Sequence, residues 1–284
     1  MSKPLFVAEV SSNHGQDLNR CYEFIQKAAE IGCDAVKFQL FKIDQLFSKE
    51  ALLARPELAA RKDWELPVSF LPKLLECCRD LGIQFSCTPF YLEAVSQLEP
   101  YVDFYKVASY ELMWSELLTA CVNTKKPLVL STGMATIEEV DAAVSVIKSA
   151  GCSDLTLLST ISGYPTPIEE CNLAFIQTLR SRYGVKAGWS DHSVSVGVLA
   201  RAIFTFDASM IEFHLDLDGR GDEFKTGHCW LPEQIEAAIA MIQDGFNATG
   251  SSEKILGRSE ITDREWRADP IDGLRPLRAI RSSL

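Results

Sequence analysis

The feature that most constrains this chain is one alternation met eight times: a short apolar run that reads as a strand, a polar turn, then a stretch with helical periodicity. The strand-like runs are 5–10, 35–39, 83–87, 104–107, 128–130, 155–158, 185–189 and 210–215. Between them a helix is expected to open near Asp17, and Gly32, Gly82 and Gly151 sit where helices should stop. Thr136 and Glu139 have capping-box spacing ahead of a helix running to Ala150, and the last helix opens at Pro232 and runs to about Gly245. After the second strand comes a long charged loop with Pro56 and Pro67, followed by a helix over about 68–81. Eight strand–helix units in about 250 residues predict an α/β chain folded as a (β/α)8 TIM barrel. A doubly wound open sheet is the competitor, but it normally carries a G-x-G-x-x-G turn after its first strand, and Ser11-Ser12-Asn13-His14-Gly15 is not one.

In such a barrel the carboxyl ends of all strands share one rim, where chemistry is done. Here those ends carry Glu9, Lys37, Thr88, Lys106, Ser131, Ser190, His192 and His214. Each alone is equally readable as a solvated loop polar group. Lys37 and Lys106 lie inside apolar runs, so each must meet something anionic, whether a ligand or a carboxylate of the protein itself. His192 and His214 end neighbouring strands with a carboxylate beside each. They can be structural hydrogen-bonders or two ligands of one divalent ion.

Composition narrows the partners. A net charge of −11 argues against nucleic acid and anionic membranes, so any phosphate must be bound locally. No apolar run approaches the roughly 20 residues of a membrane span, and the start shows no signal segment, which predicts a cytoplasmic protein. Nine cysteines, mostly in apolar runs and without C-x-x-C spacing, suit buried thiols rather than disulfides or a zinc site.

Several motifs occur in a fixed order: Ala8-Glu9-Val10-Ser11-Ser12-Asn13-His14-Gly15, Val36-Lys37-Phe38-Gln39, Tyr105-Lys106-Val107-Ala108-Ser109, Ser131-Thr132-Gly133-Met134, Tyr164-Pro165 and Ser190-Asp191-His192. Over about residues 5–245 the chain resembles the sialic acid synthase (N-acetylneuraminate synthase) family. The resemblance implies a transferase of carbohydrate biosynthesis, working as a homodimer, that condenses phosphoenolpyruvate with an N-acylated amino-sugar aldehyde, N-acetylmannosamine or a relative. The products are a nine-carbon 2-keto sugar acid and phosphate. By position, Lys37, Thr88, Lys106, Ser109, Ser131 and Ser190 would hold the enol phosphate, with charge-assisted bonds suited to a multiply charged ligand. His192 and His214 would hold a divalent metal, manganese in better-known relatives, with magnesium or cobalt as alternatives. Glu9 would position or deprotonate the water that attacks C2. Gln39, Glu111 and Tyr164 would face the sugar. Asn13 and His14 would organise the first loop.

Departures fall on the sugar side. Ser159-Thr160-Ile161 stands where relatives carry His-Cys-Thr, and Gly221-Asp222-Glu223-Phe224 replaces Gly-Pro-Asp-His. Asp222 is then the expected hydroxyl-binding carboxylate, and His228 a spare loop histidine. Residues 1–250 are expected to form the catalytic barrel. The arginine-rich segment 251–284, with Arg264, Arg267, Arg275, Arg278 and Arg281, would pack on the barrel or lead to the antifreeze-like domain that most relatives have. Two other functions remain open at this point: a Schiff-base aldolase using Lys37 or Lys106 on a 2-keto acid, and a non-catalytic barrel that binds a sugar or phosphate.

Overall fold

The computed structural model describes residues 3–281 and 283–284. Its eight core strands are β1 (Leu5–Glu9), β2 (Ala35–Leu40), β3 (Gln84–Pro89), β4 (Phe104–Val107), β5 (Leu128–Ser131), β6 (Leu155–Thr160), β7 (Lys186–Asp191) and β8 (Met210–Leu215). They pair in sequence order, every pair parallel, and β8 returns to β1 with His214 opposite Glu9, which closes the barrel. The expected (β/α)8 fold is therefore the observed one. A short strand, β9 (Cys229–Trp230), adds outside β8 with His214 opposite Cys229.

Eight helices follow the strands: α1 (Leu18–Glu30), α2 (Leu71–Leu81), α3 (Leu92–Leu98), α4 (Ser115–Asn123), α5 (Ile137–Ser149), α6 (Phe175–Tyr183), α7 (Val196–Phe204) and α8 (Pro232–Asn247). Their apolar stripes have the spacing that one helix face needs: α1 buries Cys21, Phe24, Ile25 and Ala28, and α5 buries Val140, Ala143, Val144 and Ile147. Asp17 caps α1 through the amides of Asn19 and Arg20, and Thr136 with Glu139 forms the expected capping box. The helix expected from residue 68 begins at Leu71, because residues Val68–Phe70 wind as a tighter 3-10 turn after Pro67. The charged loop after β2 holds two short helices, Ile43–Leu46 and Lys49–Ala54, and a 3-10 run Pro56–Trp64.

Strand side chains alternate between the helix layer and the barrel interior. Outward, Phe6, Phe38, Phe85, Tyr105, Trp189 and Phe213 are buried. Inward, the lower layer is an apolar cluster of Val7, Ala35, Phe104, Val129, Leu158 and Met210. Two residues further along the same faces come Glu9, Lys37, Lys106, Ser131, Thr160 and Glu212, so each strand turns from apolar to polar as it reaches the rim. Gly188 keeps β7 close to its neighbours, since a Cβ there would lie 2.3 Å from the Met210 carbonyl oxygen.

The chain divides into two compact units, Met1–Gln243 and Asp244–Leu284. In the second, the Leu277 amide donates to the Glu265 carbonyl and links the short helices Ile261–Glu265 and Arg278–Arg281, while Asp269 accepts from the amides of Ile271 and Arg278 and Asp272 pairs with Arg281. All nine cysteines are free.

Candidate active site

A cavity of about 770 Å3 opens at the carboxyl end of the barrel. It is lined by Glu9, Lys37, Gln39, Thr88, Lys106, Ser109, Glu111, Ser131, Tyr164, Ser190, His192, His214 and Asp222, every residue for which the sequence suggested contact with a substrate or metal. Its size lies within the range of small-molecule sites, about 300–1,000 Å3.

At its floor is a buried ionic network. Lys37, opposite Glu9 in the β1–β2 register, contacts the Glu9 carboxylate and donates to Thr88 Oγ1 at 3.3 Å. Lys106 Nζ lies 3.0 Å from Glu212 Oε1, which also accepts from Ser190 Oγ at 3.2 Å and sits 3.9 Å from Lys37 Nζ. The two lysines thus have protein carboxylates as partners, one of the two readings their burial left open. Burial favours the neutral amine and, with Lys106 nearby, holds Lys37 down at about 7 despite the pull of Glu212. Burial alone would raise Glu212, but Lys106 and Lys37 keep it ionised, at about 2.

Above the floor, Glu111 is 8% exposed and its carboxyl is pushed up by burial to about 8, against the opposing pull of Lys106. Its Oε2, like Ser131 Oγ, is buried without a hydrogen-bond partner among the described residues. Such atoms are expected to gain partners from a ligand. Ser109 Oγ accepts from the Gly133 amide at 3.0 Å, and a side chain at Gly133 would collide with Ser162 and Ser109.

His192 and His214 face each other with ring centroids 5.3 Å apart, and Tyr164 stacks 4.2 Å from His192. His192 Nδ1 meets the Ile161 carbonyl at 2.7 Å, and His214 Nδ1 meets Glu223 Oε2 at 2.9 Å. A carbonyl or carboxylate can only accept, so both rings carry their proton on Nδ1 and present a bare Nε2. Burial keeps His192 neutral, at about 3, and lowers His214 as well, against Glu223. Two bare imidazole nitrogens fit a divalent cation. So does the charge of the buried ionic groups around them: Glu9, Glu212 and Glu223 outnumber Lys37 and Lys106 by one, an excess that a cation there would offset.

Two central residues of this site, Glu212 and Glu223, were given no role from the sequence. Glu212 follows from strand alternation, since it shares the inward face of β8 with Met210 and His214. Glu223 is the inward carboxylate of the last loop, accepting from Ser11 Oγ, Ser12 Oγ and His214. Asp222 is at the cavity edge, its side chain 59% exposed and paired with Lys225. His228, expected as a spare loop residue, is instead 4% exposed and lines the cavity, because β9 draws it beside β8. No spacing signal in the loop announces that pairing. Asn13, in the turn after β1, donates to the Leu215 carbonyl at the end of β8 at 3.1 Å, while His14 Nδ1 accepts from the Gln16 amide.

The family model described as the NeuB family matches residues 24–254. Pseudaminic acid synthase of Helicobacter pylori is 34% identical over 94% of this chain and 82% of its own length. N,N'-diacetyllegionaminic acid synthase of Campylobacter jejuni is 31% identical over 92% and 81%. Among solved structures, N-acetylneuraminic acid synthetase from Leptospira borgpetersenii, in complex with citrate, superposes with a TM-score of 0.80 at 28% identity over 93% of this chain and 92% of that one.

Proposed function

The chain belongs to the NeuB family, and on that premise we propose that it joins phosphoenolpyruvate to an N-acylated amino-sugar aldehyde of the N-acetylmannosamine class, giving a nine-carbon 2-keto sugar acid and phosphate in the cytoplasm. The observation that carries this reading is the side-by-side arrangement of two buried lysines and two imidazoles with bare nitrogens in one cavity. An anion site beside a cation site is what an enol phosphate and an aldehyde require together.

In this reading Lys37, Lys106, Thr88, Ser109, Ser131 and Ser190 hold the phosphate and carboxylate of phosphoenolpyruvate, and Ser131 Oγ gains the partner it lacks. His192 and His214 would hold a divalent ion, manganese by resemblance to the family, which would supply Lewis-acid polarisation of the aldehyde. Gln39, Tyr164 and Asp222 position the sugar. As C3 of the enol phosphate bonds to the aldehyde carbon, Glu111, neutral below about pH 8, donates the proton that the aldehyde oxygen takes up. Glu9 accepts one proton of the water that adds at C2, and C–O cleavage then releases phosphate, which takes up the remaining C2 hydroxyl proton as the ketone forms. Holding two reactants in line accounts for much of the rate.

The test is phosphate release from phosphoenolpyruvate across a panel of hexosamines, with and without Mn2+. Release that needs both an amino-sugar aldehyde and the ion is expected; tight phosphoenolpyruvate binding without turnover on any acceptor would instead indicate a binding barrel. One observation favours a second reading. Lys37, at about 7, is partly a free amine at neutral pH, as a Schiff-base aldolase requires. Borohydride with pyruvate in a metal-free buffer separates the two: a covalent adduct on Lys37 would establish the aldolase, and its absence is expected.

A further inference from the structure

The residue that neither family position nor sequence spacing accounts for is His228. It lies in the same cavity as the histidine pair, with its ring centroid 4.6 Å from that of His214 and 6.1 Å from that of His192. Its tautomer is fixed in two steps. Thr226 Oγ1 is 2.6 Å from the Glu223 carbonyl, which can only accept, so the single hydroxyl proton points there. His228 Nδ1, 2.5 Å from the same Oγ1, must then be the donor. His228 therefore presents a bare Nε2, as His192 and His214 do.

That Nε2 lies 3.7 Å from Glu223 Oε2, beyond hydrogen-bond reach, so no protein group among the described residues holds it. A cation bound at Nε2 would give it a partner. Candidate ligand atoms of His214, Glu223, His228 and Cys229 all lie within 4.8 Å of one another; His192 stands outside that group and adjoins it through its ring, 5.3 Å from that of His214. Cys229 Sγ already accepts from Asn13 Nδ2 at 3.8 Å, so the imidazoles are the donors left aimed into the cavity.

Ring geometry supports a shared ion. With a metal–nitrogen distance of about 2.1 Å, each ring centroid lies roughly 3.2 Å from the ion, so rings at 90–110° have centroids about 4.6–5.3 Å apart. The His214–His228 and His192–His214 separations, 4.6 and 5.3 Å, fall at those two values, and 6.1 Å for His192–His228 corresponds to a wider angle.

We propose that His228 is a third imidazole ligand, so that a divalent ion in this protein is held by His192, His214 and His228, with Glu223 orienting His214 from behind. The inference rests on the metal reading given above for His192 and His214, and extends it. Three neutral imidazoles shift preference toward borderline ions such as Co2+ and Zn2+ and away from Mg2+, while open positions remain for water or a substrate oxygen. The Glu223 carboxylate behind His214 fixes that ring and raises its basicity.

The test uses the full chain loaded with Co2+, with no substrate and no turnover. Each ligated ring carries an Nδ1 proton, so proton NMR counts ligands directly as hyperfine-shifted, solvent-exchangeable resonances. Three are expected in the unaltered protein and two in His228→Ala, with Co2+ affinity, read by chelator competition, falling more than about tenfold. His228→Gln, closer in volume, should behave like His228→Ala and covers the case in which the smaller residue disturbs folding. Two resonances in the unaltered protein, each lost on His192→Ala or His214→Ala, would overturn the third ligand and leave the two-histidine site standing. Bound Co2+ with no shifted resonance would overturn both.

Discussion

Glu111 shows how burial sets chemistry at the level of one side chain. Its ordinary carboxyl value of 4.5 is raised to about 8 by loss of solvent, with Lys106 pulling the other way. Between those values the folded chain keeps a proton that the unfolded chain releases, so stability falls as pH rises through the window. Glu111→Gln should therefore raise Tm over the unaltered protein by more at pH 9 than at pH 6; a pH-independent difference would contradict the assignment. Because the neutral acid is the proposed proton donor, kcat/KM should decline above about pH 8. In Glu111→Gln that limb should vanish along with about 10²–10⁴-fold of the rate. Much of this site could be read residue by residue, since lysines in apolar runs and histidines at strand ends are conspicuous. Glu223 could not, because what makes it central is contact with Ser11 and Ser12, more than two hundred residues earlier in the chain.

Strands were the most legible elements, because a parallel strand buried on both faces leaves a continuous apolar run that is hard to mistake. β9 was not legible: two residues give no periodicity, and only the fold makes Cys229 a neighbour of His214. The glycine inside β7 is where element geometry is most exposed to test. A methyl group at Gly188 meets the Met210 carbonyl at 2.3 Å and Leu158 Cδ2 at 2.9 Å, so Gly188→Ala should force β7 and β8 apart. Urea denaturation should show a loss of about 2–3 kcal/mol. Activity should fall with it, since Ser190 and His192 lie just beyond. Thr136→Ala is the contrast: it removes the cap of α5 and should cost about 1 kcal/mol with kcat unchanged. Equal effects of the two on kcat would argue against β7 as the element that positions the site.

For the molecule as a whole, closing eight strands places every strand end on one rim, which explains how residues from Glu9 to His214 meet in a single cavity. A chain of net charge −11 gathers no anion by its overall field, so the site must supply its own positive charge. Ion binding should then be visible as global stability: metal at 100 times its Kd adds about 2.7 kcal/mol and raises Tm. The same rise in His214→Ala would place the ion elsewhere.

Most direct for the central claim is the fate of the oxygen that bridges C2 and phosphorus in phosphoenolpyruvate. With that oxygen labelled as 18O and an amino-sugar acceptor present, water addition at C2 followed by C–O cleavage predicts that the label leaves in the released phosphate. Phosphate free of the label would mean cleavage of the P–O bond and would contradict the reaction assigned to this cavity.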